Sequence, residues 1–239
     1  MKKKILRLLS LALCITMVFA LFPVQADAAS NSYSTRSSKK VLLVFPSSGK
    51  LLSEPLYAKV DGEQKNGGIY YYPKKSTDNG VLGTVKNGTK VTIFAEDDGY
   101  YFFMTNSGRM GWNKKKFFTE PSKYSGYYIG NSGLTTDHLK KVKSFLASND
   151  RAGGSNKFYP SKPVIILDKG DSAKFTIYGD YRKSSTVHMR YDGDLHTLKS
   201  KSGNGKLTIT IKGKTMGTNT IEFTNYYTDR VFEVLVIVV

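Results

Sequence analysis

Residue types that do chemistry are scarce in this 239-residue chain, and the scarcity narrows what it can do. There are three histidines, His138, His188 and His196. Asp192, Asp194 and His196 alternate, with His188 just upstream, so on a strand the three would face one way, as metal ligands do. The competing reading is a polar hairpin, because Asp192-Gly193-Asp194 is ordinary turn chemistry. The single cysteine, Cys14, lies in the first 28 residues. Once that segment is removed, no thiol nucleophile, disulfide or cysteine-bound zinc remains. Serine is plentiful, yet none stands in a G-x-S-x-G nucleophile elbow. Glu96, Asp97 and Asp98 are contiguous at a turn, which reads as a solvated tip and not as the separated acids of a glycosidase cleft. The expectation is a non-enzymatic protein without a cofactor or a metal. A small metal-dependent extracellular hydrolase using His188, Asp192, Asp194 and His196 is the alternative.

Surface chemistry favours binding. The formal charge is +17, which calls for an anionic partner or surrounding. Aromatic residues are frequent around 70 and 100, in runs that read as strands. If Ile69 and Tyr71 point inward, period-two alternation sends Tyr70 and Tyr72 outward. The same rule on Tyr100 to Thr105 buries Tyr101 and Phe103 and exposes Tyr100 and Phe102. Trp112 follows Gly111 and would edge the same groove. Tyr70, Tyr72, Tyr100, Phe102 and Trp112 are therefore the candidate ligand site, since aromatic faces with polar tips suit sugar and peptide ligands. A core role for most of these rings is the bland alternative. Extracellular nucleic-acid or polyanion binding is a further alternative. The lysines are dispersed and not striped, so no specific nucleic acid is expected.

The elements that must position these residues follow from pattern. Residues 1–28 have the order of a signal peptide: Lys2, Lys3, Lys4 and Arg7, an apolar run from Leu8 to Leu21, then Ala26-Asp27-Ala28. Four basic residues and one acidic residue lie in it, so a chain beginning at Ala29 carries +14. The Ser- and Lys-rich stretch that follows reads as a tether, and Val41 to Phe45 as a short strand. Three β-runs, VLGTV, KVTIFA and YYFFMT, are punctuated by Asn87-Gly88, Asp98-Gly99 and Ser107-Gly108. Their spacing predicts a small curled antiparallel barrel with no free edge. Leu139, Val142, Phe145 and Leu146 form an apolar stripe at helical spacing, predicting a helix from Thr136 to Ala147 capped by Thr135 or Thr136. A glycine-containing break at Asp150 to Lys157 separates this region from a second set of strands. Six or seven short runs from Lys162 onward suit a β-sandwich.

The first β region resembles the bacterial SH3-like (SH3b) domain of secreted cell-wall proteins. The carrying residues are Ile69-Tyr70-Tyr71-Tyr72-Pro73, Val81-Leu82-Gly83-Thr84-Val85, Lys86-Asn87-Gly88-Thr89-Lys90-Val91, Gly108 and Gly111-Trp112. Tyr100 stands where the family often has Trp. The second region resembles the Ig-like domains of bacterial surface proteins. It does so through Leu167-Asp168-Lys169-Gly170-Asp171, Gly217-Thr218-Asn219-Thr220-Ile221 and the final valine-rich run. These resemblances imply an all-β protein: a small SH3-like barrel plus an Ig-like β-sandwich, joined by a linker with one short helix. The expected division is 1–28 signal peptide, 29–50 tether and short strand, 51–121 barrel, 122–160 linker with helix and 161–239 sandwich, the two modules folding independently. They also imply a secreted, wall-associated protein that recognises peptidoglycan or an anionic wall polymer. A surface protein is a further partner, and the membrane is met only during export.

Overall fold

The computed structural model describes residues 42–64, 67–77, 80–125, 133–149, 158–179, 187–191, 193, 196–203 and 206–239. The expected signal peptide, most of the tether and the break at 150–157 lie outside these residues. The described residues fall in one compact unit, Ser32–Val239, and are mostly strand with one α-helix among them.

In the first region β1 (Leu51–Lys59), β4 (Lys90–Asp97), β5 (Tyr100–Thr105) and β6 (Met110–Lys114) form an antiparallel sheet in the order β1-β4-β5-β6. The turns at Asn87-Gly88 and Asp98-Gly99 carry Gly88, Asp98 and Gly99 with positive φ, the backbone state those residue types tolerate. β2 (Gly68–Tyr71) and β3 (Gly83–Lys86) pair separately as a two-stranded ribbon. Reciprocal backbone hydrogen bonds of 2.9 Å between Tyr72 and Trp112 fasten that ribbon to β6. The expectation of a closed barrel is corrected: among the described residues the four-stranded sheet and the ribbon remain separate sheets. Residues 42–45 are corrected too. They join no strand ladder and run as a strap. The Val44 N–H donates to the Pro73 carbonyl (2.7 Å), the Val44 carbonyl accepts from Trp112 Nε1 (2.7 Å), and Phe45 is buried.

Helix α1 (Thr136–Ser148) begins at Thr135, whose hydroxyl accepts from the His138 N–H at 3.2 Å. The Thr135 N–H donates back to His138 Nδ1 at 3.2 Å, which completes a capping box with histidine in the place usual for Glu or Gln. The predicted stripe of Leu139, Val142, Phe145 and Leu146 is buried.

The second region holds β7 (Phe158–Pro160), β8 (Val164–Leu167), β9 (Ser172–Gly179), β10 (Val187–Arg190), β11 (His196–Gly203), β12 (Lys206–Gly213), β13 (Gly217–Asn225) and β14 (Arg230–Val238). They form two four-stranded sheets, β10-β13-β14-β8 and β11-β12-β9-β7, over one shared core of residues such as Phe175, Ile209, Phe223 and Val234. Among the described residues only β8 and β14 pair in parallel.

β5 and β14 are buried on both faces, and this arranges everything else. Tyr101 and Phe103 of β5 face a core with Ile69, Ile93 and Phe118. Phe102 and Met104 face a different core, which contains Phe45, Trp112, the α1 stripe, Val164, Leu235 and Ile237. Phe232, Val234, Val236 and Val238 of β14 belong to the two-sheet core, while Leu235 and Ile237 point the other way into the core of Phe102. Side chains from both sides of 150–157 thus meet in one cluster around α1. Each such large apolar side chain contributes roughly 1.5–3 kcal/mol through burial.

Candidate ligand-binding site

Of the five aromatic residues singled out in the sequence, the structure brings three together near one surface. Tyr70 and Tyr100 are half-buried at the ends of β2 and β5. Tyr72 lies between them, its ring 6.3 Å from that of Tyr70 in an edge-on arrangement. Burial pushes the Tyr72 phenol above its ordinary pKa, a hydrogen bond from the Gln64 side chain opposes this, and the neighbouring Tyr70 and Tyr100 add to it. Behind the rings Asn113 is wholly buried. Its Nδ2 donates to Gln64 Oε1 (2.8 Å) and to the Tyr70 carbonyl (2.6 Å), and Gln64 Oε1 also accepts from the Tyr70 N–H (3.1 Å). This small polar network fixes β2 against β6 and holds Tyr70 and Tyr72 in place.

The other two residues are corrected. Phe102 has no exposed surface and Trp112 only 2%. Their rings pack 5.1 Å apart inside the core shared with α1. Alternation failed here because a second apolar layer covers the face of β5 that the pattern assigned to solvent. Tyr72 is also more covered than expected, at 5% exposure. What reaches solvent in the candidate groove reduces to Tyr70 and Tyr100, both half-buried, the latter packed against the core around α1.

Acidic residues at the β4–β5 turn are held by lysines. Lys75 Nζ bonds Asp97 (2.5 Å) and Asp98 (2.8 Å), Lys50 reaches Asp97 at 3.3 Å, and Lys115 pairs with Glu96. The Lys75 hydrogen bond holds the Asp97 carboxyl below the usual carboxylate range; burial opposes it, and Lys50 adds to the lowering. The Glu96-Asp97-Asp98 tip is therefore tied to the short turns and loop that carry Lys50, Lys75 and Lys115.

The His188 cluster stands differently. His188 is exposed on β10, its ring 5.4 Å from Tyr226 and tilted by 33°. Asp192 and Asp194 lie outside the described residues, and His196 opens β11. Among the described residues no group of three or more His, Cys, Asp or Glu side chains is placed to hold a metal.

A cleft of about 310 Å³ lies elsewhere, where the first region meets β7 and β9. Tyr71 borders it from β2, Arg109 from the β5–β6 turn, and Tyr159, Lys162 and Tyr178 from the second region. Sequence reasoning missed it, because its walls come from segments far apart in the chain, Tyr71 and Arg109 on one side and Tyr159, Lys162 and Tyr178 on the other. The only signal was alternation, which turns Tyr71 away from Tyr70 and Tyr72.

No protein-family model matches the chain, and no curated protein sequence matches it. Among solved structures the chain is similar to domains 4 and 5 of the S-layer protein SbsC, at 14% identity and a TM-score of 0.30, covering 80% of this chain and 99% of that one. It is similar to a longer SbsC chain at 13% identity and a TM-score of 0.30, covering 82% of this chain and 28% of that one. It is also similar to a cysteine protease inhibitor from Entamoeba histolytica, at 17% identity and a TM-score of 0.25, covering 32% of this chain and 84% of that one.

Proposed function

We propose that this is a secreted, non-catalytic protein of the bacterial envelope whose SH3b-like first region binds peptidoglycan or an anionic wall polymer, with an Ig-like sandwich as its second module. The observation that carries the reading is the surface at Tyr70 and Tyr100, the first held from behind by the Asn113–Gln64 network and the second packed against the core around α1. A cationic chain supports it: residues 29–239 carry +14 after the four basic residues and one acidic residue of 1–28 are removed. Such charge attracts wall polyanions, and the tyrosines add an uncharged contact that salt does not screen.

The test is retention of the purified secreted chain on isolated cell walls, with and without their anionic polymers, at low and high salt. Part of the binding is expected to survive high salt. Tyr100→Ala is expected to remove about 1–2 kcal/mol of that part, the loss of one aromatic anchor. If retention vanishes at high salt in the parent, the chain is a general polyanion binder and the specific-ligand reading is wrong.

A further inference from the structure

We propose that the cleft bordered by Tyr71, Arg109, Tyr159, Lys162 and Tyr178 is a binding site for an anionic sugar, the rings taking the face of the sugar and the two cations its carboxylate or phosphate. The inference deepens the envelope-binding reading and rests on it, but it uses residues outside the Tyr70–Tyr72–Tyr100 cluster.

The size is right: about 310 Å³ is at the small end for ligand pockets, where a short saccharide fits. The rings of Tyr159 and Tyr178 lie 5.4 Å apart at 36°, a shallow concave platform and not a closed stack. Tyr71 is half-buried beside them, and Arg109 is near enough to its phenol to oppose the upward push that burial gives its pKa. Tyrosines of this kind offer a flat apolar face and a hydroxyl, the two features a sugar ring presents in return. The walls are stiff, because Pro73, Pro160 and Pro163 are buried around the cleft, so little ordering is lost on binding.

The charge selects the ligand. Arg109 and Lys162 are exposed at the cleft, and none of the described residues lining it is acidic. Neither cation forms an ion pair with a described carboxylate. A guanidinium offers a planar pair of donors that matches a carboxylate or phosphate. Arg109 Nη1 has a long hydrogen bond to the Thr84 carbonyl (3.4 Å), and a neutral sugar would leave both charges without a counter-ion.

Calorimetric titration of the intact secreted chain tests this with four probes: trigalacturonate, glucose 6-phosphate, maltotriose and hexaglutamate. At least one of the two anionic sugars is expected to bind about tenfold or more tightly than maltotriose, the difference made by one hydrogen bond to a charged group. Which of the two binds more tightly identifies the anion, carboxylate or phosphate. Arg109→Gln and Lys162→Gln, both at exposed positions, are each expected to weaken that binding while leaving the near-ultraviolet circular dichroism unchanged. Tyr100→Ala is expected to leave it intact. Equal binding of maltotriose, hexaglutamate binding as tightly as the sugars, or indifference to both substitutions overturns the proposal. Loss of wall retention with sugar binding intact would remove the envelope role and leave this site standing, and the reverse outcome would do the opposite.

Discussion

His138 shows how much one side chain carries at the start of α1. Its neutral Nδ1 accepts the Thr135 N–H, and its own N–H donates to the Thr135 hydroxyl. Burial lowers the His138 pKa below its ordinary 6.5, and the nearby Asp137 opposes the shift only in part. Protonation would remove the acceptor and place a cation in the first helical turn, where the helix dipole disfavours it. The unfolded chain therefore binds the proton more readily. The stabilisation from neutral His138 is complete above pH 6.5 and is lost as pH falls through the lower folded-state value. As pH falls below 6.5 the thermal stability of the parent should drop more than that of His138→Gln, which keeps a capping-box acceptor without a titrating ring. Parallel pH profiles for the two proteins would show that the imidazole does not contribute in this way.

At the scale of elements, the β5–β6 turn is seated on β8, and a single glycine permits it. Gly108 has φ +77°, and a Cβ there would lie 2.9 Å from the Val164 carbonyl oxygen. Gly88, in the β3–β4 turn, has nearly the same φ of +76° with nothing within 4 Å of its would-be Cβ. Gly88→Ala is expected to cost about 1–2 kcal/mol, the left-handed backbone penalty alone. Gly108→Ala is expected to cost more, and the difference, read from urea unfolding, measures the close approach of the two regions. Equal losses would mean that the turn does not rest on β8. The same elements show what the sequence made legible. Turn dipeptides located the β3–β4 and β4–β5 reversals, and the four-residue stripe located α1 almost to the residue. Alternation then misplaced Phe102, because it assumes one wet face. The continuous apolar runs Tyr101–Met104 and Val234–Val238 were the available sign that both faces are dry. A register shift between Ile93 and Ala95 added to the error by turning Phe94 and Ala95 both toward the α1 core. β11, reading HTLKSKSG, has too few apolar residues to announce a strand, and its pairing with β12 decides it. The tyrosines of the candidate site were legible, since strand alternation and the β-runs located Tyr70, Tyr72 and Tyr100. The cleft was not, because nothing local links Tyr71 to Tyr178.

For the whole molecule, the core around α1 decides how the chain unfolds. Separate modules would each keep a private core and melt apart. Here Phe45, Phe102 and Trp112 from the first region, Leu139 and Phe145 from the helix, and Leu235 and Ile237 from the second region bury one another. Removing either region would expose the apolar face of the other, which couples their stabilities. The chain contains one tryptophan, Trp112, and it sits inside this shared cluster. Its fluorescence therefore reports on the junction, while far-ultraviolet circular dichroism reports on all the strands. Denaturant unfolding of the intact chain is expected to give one transition, with the two signals coinciding. Phe145→Ala, which empties a ring-sized space at the junction, is expected to move both signals together by about 3–5 kcal/mol. If the tryptophan signal is lost at lower denaturant, with a plateau before the strands melt, the two regions are independent and the shared core contributes little to either.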